Sequence, residues 1–209
     1  MRPKHIGVSE VGMGTIEKGA EKVSGLEDIA EKLRRDATRY AELGGWYRSP
    51  GFWTGAIYRF GFWADSLANL FLRIPLRFAY RLARLLPRYV FNVQLWGGRK
   101  GARIGPGLCF IHPSNILIVS GAEIGANCLI FHDVTIGTGP IPGAPRIGNN
   151  VDLYVGSKIL GGVLIGDNCM IGANCVVIND VPSNSVVMTS TNFVIPRSLS
   201  PAAQRAAKS

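Results

Sequence analysis

Residues 147–177 read IGNNVDLYVGSKILGGVLIGDNCMIGANCVV, with an aliphatic side chain at every sixth place: Ile147, Leu153, Ile159, Ile165, Ile171 and Val177. A half-buried strand repeats every second residue and a helix about every 3.6, so neither makes a six-residue beat. A hexapeptide period is that of a parallel β-helix, in which each short strand forms one side of a coil. No coil buries its own aliphatics; the coils above and below cover them. Glycine follows Ile147, Ile165 and Ile171, as tight corners with φ > 0 favour.

The beat runs upstream through Ile118, Ile124, Ile130 and Ile136, separated from Ile147 by a five-residue excess. Further back it passes Ile104, Phe110 and Ile116, with a two-residue slip placed between Ile116 and Ile118. Cys128, Cys169 and Cys175 each stand four places after a repeat aliphatic. That slot takes a small inward side chain, so these thiols read as core filler and not as nucleophiles or ligands. With Cys109 they make four cysteines and no Cys-x-x-Cys pair, which suits a reduced, cytoplasmic protein.

A chain of 209 residues has room for one main domain and a smaller attachment. Its formal net charge of +9 is uneven: residues 104–195 hold Arg146 and Lys158 against Glu123, Asp133, Asp152, Asp167 and Asp180, a net of −3 that leaves +12 on the flanks. Such flanks suit an anionic partner or a solvated basic face. No apolar core follows the charges of residues 1–19, MRPKHIGVSEVGMGTIEKG, so no secretory signal is expected. No run of 18 apolar residues provides a spanning helix. The expected organisation is an N-terminal tail over 1–30, an α-helical region over 31–95, the β-helix over 96–195 and a C-terminal tail over 196–209.

Within the helical region, residues 49–91 predict two or three helices broken near Pro50, Pro75 and Pro87. Arg73, Arg77, Arg81, Arg84 and Arg88 recur at spacings of four and three, a stripe opposite leucines and aromatics. Two readings stay open. The apolar face packs on the β-helix or another subunit, or residues 70–90 lie in a membrane interface, making the protein peripheral at the inner membrane face. Nucleic acid is not expected, since no recognition motif accompanies the charge.

His112 stands two places after Phe110, and His132 two places after Ile130. Three hexapeptides make a coil, so the two histidines are expected one coil apart at one corner, stacked at about the 4.8 Å strand spacing. Imidazole, with a reference pKa of about 6.5, accepts a proton near neutrality, and a positioned base is worth roughly 10²–10⁴ in rate. From the residues alone, His112 is either such a base or a turn histidine bonded to a carbonyl. His5 lies in the expected tail.

Residues 104–139, IGPGLCFIHPSNILIVSGAEIGANCLIFHDVTIGTG, and 147–187 together cover more than a third of the chain. They resemble the left-handed β-helix acyltransferases of the hexapeptide-repeat superfamily. More closely, they resemble the serine acetyltransferase branch and its relatives in polysaccharide biosynthesis. The shared features are the histidine before a glycine–aliphatic run, then VTIG at 134–137, GSKILG at 156–161 and IGANCVVINDVP at 171–182. The resemblance implies a left-handed coil, acetyl-CoA as donor, and a homotrimer or dimer of trimers. No metal is expected, since zinc catalysis wants three protein ligands and only two histidines lie in the repeat. It implies that His112 is the general base, and that His132, where relatives carry glutamine or histidine, positions the acceptor or steadies the base. It places coenzyme A along a corner at Gly137, Thr138, Val155, Gly156, Ala173 and Asn174, with Lys158 facing a phosphate.

The chain also departs from that pattern. Serine-specific members carry an acid directly before the catalytic histidine, where this chain has Ile111, and a second acid fifteen places before it, at Gly97. They carry arginine and histidine in the following loop, at Gly143 and Ala144 here, with Arg146 the nearest substitute. A zwitterion left without charge partners is costly to bury, whereas a neutral polyol needs none and Pro140-Ile141-Pro142 suits the face of a sugar ring. The expected activity is therefore acetyl-CoA-dependent O-acetyl transfer to a saccharide hydroxyl in polysaccharide biosynthesis. The alternative is serine O-acetyltransfer in cysteine biosynthesis, with a small-molecule acceptor.

Overall fold

The computed structural model describes residues 25–95 and 101–189. The expected C-terminal tail 196–209, residues 1–24 of the N-terminal tail and Gly97 lie outside the described residues.

Helix α1 spans Leu26–Arg39, so it begins inside the stretch assigned to the tail. It falls within residues 25–43, GLEDIAEKLRRDATRYAEL, whose sequence suggests a short helix, and Glu27 and Asp28 in its first turn complement the positive end of the helix dipole. Two 3₁₀ turns, Ala41–Leu43 and Trp46–Arg48, lead to α2 (Pro50–Ser66). Pro50 opens α2 at a position where its missing N–H costs nothing. The Asn69 side chain accepts from the Phe71 N–H and caps α3 (Leu70–Ala83), and α4 (Leu85–Val90) follows. Pro75 does not break α3, which runs through it on an exposed face.

The rest is a three-faced parallel β-helix. The first face stacks β1 (Gln94–Leu95), β4 (Leu117–Ile118), β7 (Thr135–Gly137), β10 (Lys158–Leu160) and β13 (Val176–Val177). The second stacks β2 (Arg103–Ile104), β5 (Glu123–Ile124), β8 (Arg146–Ile147) and β11 (Leu164–Ile165). The third stacks β3 (Cys109–Ile111), β6 (Leu129–Phe131), β9 (Asp152–Leu153), β12 (Met170–Ile171) and β14 (Val186–Val187). The chain visits the faces in rotation, and the repeat aliphatics pair with one another: Ile104 with Ile124, Ile130 with Leu153, Ile136 with Ile159. They form one buried column.

The two-residue slip lies elsewhere than expected. Ile111 pairs with Phe131, and Leu117 with Thr135, so the first coil carries its two extra residues between these pairs, around His112 and Pro113. Ile116 is not a repeat corner. It is fully buried in the inward slot that Val134, Ser157 and Cys175 take in later coils, as the bonds Leu117 N–H to Val134 O, Thr135 N–H to Ser157 O and Lys158 N–H to Cys175 O show. All four cysteines are buried and free, and burial pushes the Cys128 thiol up to about 11.

Corners need left-handed backbone, which asparagine tolerates better than most residues. Asn127, Asn150, Asn168 and Asn184 supply it on successive coils, and each of the first three donates Nδ2 to the next one's Oδ1 at 3.0–3.3 Å. Gly105 answers a different need, because a Cβ there would stand 2.6 Å from the Gly125 carbonyl carbon.

β2 and β3 are edge strands, and unpaired edges need cover. The helices provide it. Tyr58 Oη donates to Ala102 O (2.7 Å) and accepts from the Ile104 N–H (3.2 Å). Arg59 donates to Ile104 O and Gly105 O (2.6 Å each) and pairs with Asp36 (3.0 Å). Asp36 accepts the N–H groups of Gly107 and Leu108, and Tyr40 Oη accepts that of Phe110 at 2.8 Å. The strand that leads to His112 is thus held by buried polar groups from α1, α2 and the turn between them.

Candidate active site

The corner between the third and first faces collects the chemistry. Its successive layers are residues 112–116, 132–134, 154–157 and 172–175, each following a strand of the third face. His112 and His132 come directly after the paired Ile111 and Phe131, and there the layers diverge. His112 takes φ +49, uncommon for a residue with a Cβ, and stands exposed at the start of the two-residue bulge. Beyond the bulge Ser114 faces the next coil, its carbonyl accepting the Asp133 N–H at 2.8 Å. The expected rung-on-rung stacking therefore holds for the backbone only up to Ile111 and Phe131. His132 is half-buried; its carbonyl accepts the Gly156 N–H at 3.2 Å. Its Nδ1 is buried with no hydrogen-bond partner among the described residues.

Asp133 is the polar hub of this corner. Asn92 donates to Asn115 Oδ1 (2.8 Å), and Asn115 donates to Asp133 Oδ1 (2.5 Å). Lys158 Nζ donates to Asp133 O (2.6 Å) and stands 3.4 Å from Oδ1. The lysine expected to face a phosphate thus lies against Asp133. Sequence reasoning missed this pair, and it missed the stacked rings of Phe131 and Tyr154, 5.0 Å apart and 15° from parallel. The signal was present: both aromatics follow a repeat aliphatic, Ile130 and Leu153, one coil apart. Nearby on the same face, burial raises the Asp152 carboxyl against the opposing pull of Arg39.

The residues expected to hold the donor divide between two corners. Val155, Gly156, Ala173 and Asn174 share the histidines' corner, where Val155 O accepts the Asn174 N–H at 2.9 Å and Gly156 takes φ +73. Gly137 and Thr138 lie across the first face, at the start of the loop 138–145 that absorbs the five-residue excess. Pro140, Ile141 and Pro142 are exposed in that loop.

The departures from the serine-specific pattern have local explanations. Ile111 packs with Tyr40, Phe52 and Cys109 in an apolar cluster under the helices, so an aliphatic residue there serves the docking of α1 and α2. Arg146 lies on the second face, 3.3 Å from Glu123, and does not replace a loop arginine. Gly143 is exposed in the loop with φ +113.

Residues 144–179 match the family model of the bacterial transferase hexapeptide (six repeats). The serine acetyltransferase of Synechococcus elongatus is 37% identical over 152 residues, which cover 71% of this chain and 58% of that protein. The chain thus spans less than two thirds of that relative's length. The solved serine acetyltransferase of Neisseria gonorrhoeae, in complex with serine, is 26% identical with a TM-score of 0.59, over 83% of this chain and 72% of that one. A serine acetyltransferase in complex with CoA shares the fold at a TM-score of 0.62 and 23% identity, over 81% of this chain and 71% of that one. These findings overturn the expected saccharide acceptor and the place in polysaccharide biosynthesis. The missing charges do not select the acceptor, and Ile111, the departure beside His112, is explained by packing. The repeat, the coil geometry and these likenesses agree that the chain belongs to the hexapeptide-repeat transferases, in their serine acetyltransferase-like branch.

Proposed function

We propose that this chain is a serine O-acetyltransferase using acetyl-CoA, assembled as a homotrimer or dimer of trimers and working in the cytoplasm. The observation that carries the reading is the corner where exposed His112 stands one coil from His132 and the Asp133–Lys158 pair, in a chain similar to a serine-bound relative. Acetyl-CoA supplies the acetyl group as a thioester. His112 takes the proton from the serine hydroxyl as its oxygen attacks, and returns that proton to the departing sulfur. The positive φ of His112 lifts it out of the strand line into the open. His132 steadies the acceptor. Asp133 and Lys158 offer an anion and a cation within one site, which answers the zwitterion's need for partners of both signs. The N–H of Val155 is the proposed donor to the developing oxyanion.

The donor fits a corner built from backbone and small side chains. Gly156 has left-handed backbone, and the Asn174 side chain fills the space its Cβ would need.

Thiol release from acetyl-CoA, measured with and without free serine, tests the reading. Serine-dependent release is expected. His112→Ala should lower turnover roughly 10²–10⁴-fold with the particle mass unchanged by light scattering. Full activity in that variant would refute the mechanism, and absence of serine dependence would refute the acceptor.

A further inference from the structure

We propose that α3 and α4 dock this protein onto an anionic lipid surface. Residues 70–90 hold five arginines and no Asp or Glu. In α3 the inward side is marked by buried Tyr80, against which Gly61 of α2 packs closely. At 100° per residue, the opposite side is Phe71, Ile74, Phe78 and Leu82, all exposed, with Phe71 at 90% and Phe78 at 62%. α4 extends this apolar exposure through Leu86 and Tyr89, the latter 76% exposed. Arg77 and Arg81 lie on one side of α3 between Tyr80 and that face, while Arg73 falls on the inward side with Tyr80. Arg77 also pairs with Asp65 at 3.0 Å, and Arg88 lies over the Tyr89 ring.

Exposed aromatics and leucines edged by arginine are the pattern of a helix lying in the headgroup plane. Guanidinium groups bind phosphate oxygens in paired hydrogen bonds, while the apolar side chains enter the acyl boundary. Among the described residues no helix is long and apolar enough to cross a membrane, so the contact is peripheral. Charge selects the occupant. A second copy of the segment would set one net-cationic face against another, whereas an anionic bilayer neutralises it. The β-helix from 104 to 187 is net acidic, which orients the helical side toward the lipid. The inference is independent of acetyl transfer.

The test is flotation of the full chain with vesicles of phosphatidylcholine containing roughly one quarter phosphatidylglycerol, against pure phosphatidylcholine, in ~0.1 M salt. At least tenfold stronger binding to the anionic vesicles is expected, weakening as salt rises. Phe71→Glu/Phe78→Glu should abolish binding with sedimentation and thiol release unchanged. If that variant does not fold, Arg77→Gln/Arg81→Gln gives the same reading through selective loss on anionic vesicles. Equal binding to both vesicles, no binding, or a variant that binds like the parent would overturn the proposal. So would a smaller particle for the Phe71→Glu/Phe78→Glu variant, which would make this face a subunit interface.

Discussion

Asp36→Ala should cost this protein about 3–5 kcal/mol of stability, the range for breaking one partner out of a buried ion pair. The Asp36 and Arg59 side chains are each only 3% exposed. The carboxylate accepts from Arg59 Nε at 3.0 Å and from the N–H groups of Gly107 and Leu108 at 2.8 and 2.9 Å. Removing it strands a guanidinium and orphans two buried donors, each worth about 1–3 kcal/mol. These terms describe the same desolvation and overlap, so they do not add to the pair's cost. Against a total of about 5–15 kcal/mol, such a loss is large. Urea unfolding followed by circular dichroism at one fixed protomer concentration reads it. With a slope of about 2 kcal/mol/M, the midpoint should fall by about 1.5–2.5 M. Asp36→Leu/Arg59→Met removes both charges together and should recover part of the loss. A single-variant loss below about 1 kcal/mol, the range of an exposed pair, would refute the buried clamp. Under conditions where Asp36→Ala is still folded, turnover should also fall, because the clamp holds the strand that delivers His112.

Alkylating reagents at pH 8 should leave the cysteines of the native protein unlabelled, since burial raises both the Cys109 and Cys128 thiols; stoichiometric labelling by mass spectrometry would contradict this. The ordinary thiol value is 9.0 and that of Cys128 in the fold about 11. Its contribution to stability is therefore full below pH 9 and is lost as pH rises through about 11, read as a falling urea midpoint. Gly105→Ala should destabilise by about 1–3 kcal/mol, its Cβ meeting the Gly125 backbone at 2.6 Å. Gly137→Ala, whose nearest neighbour would be at 3.5 Å, should shift the melting temperature little. Equal shifts in the two variants would contradict the close-approach argument.

The sequence by itself determined the coil. Each aliphatic of the six-residue beat is covered by the equivalent residue one turn away, so the repeat is both the pattern and the packing. It also brought out the two histidines, since their offset from the beat is a local property. It could not place the slip, because Ile116 and Ile118 are both aliphatic and either one continues the count. Only the pairing of Ile111 with Phe131 and Leu117 with Thr135 decides that the bulge belongs to His112. Tertiary structure likewise decided the partner of Lys158, which lies 25 residues away in Asp133. It also decided the meaning of Ile111, whose side chain belongs to the helices' apolar cluster. Periodicity reports which residues share a face of the coil, but not what a separate element lays against that face. The contacts from α1 and α2 bridge up to 92 residues of chain, and that separation is why an apolar side chain beside His112 looked like a choice of substrate when it is a docking contact.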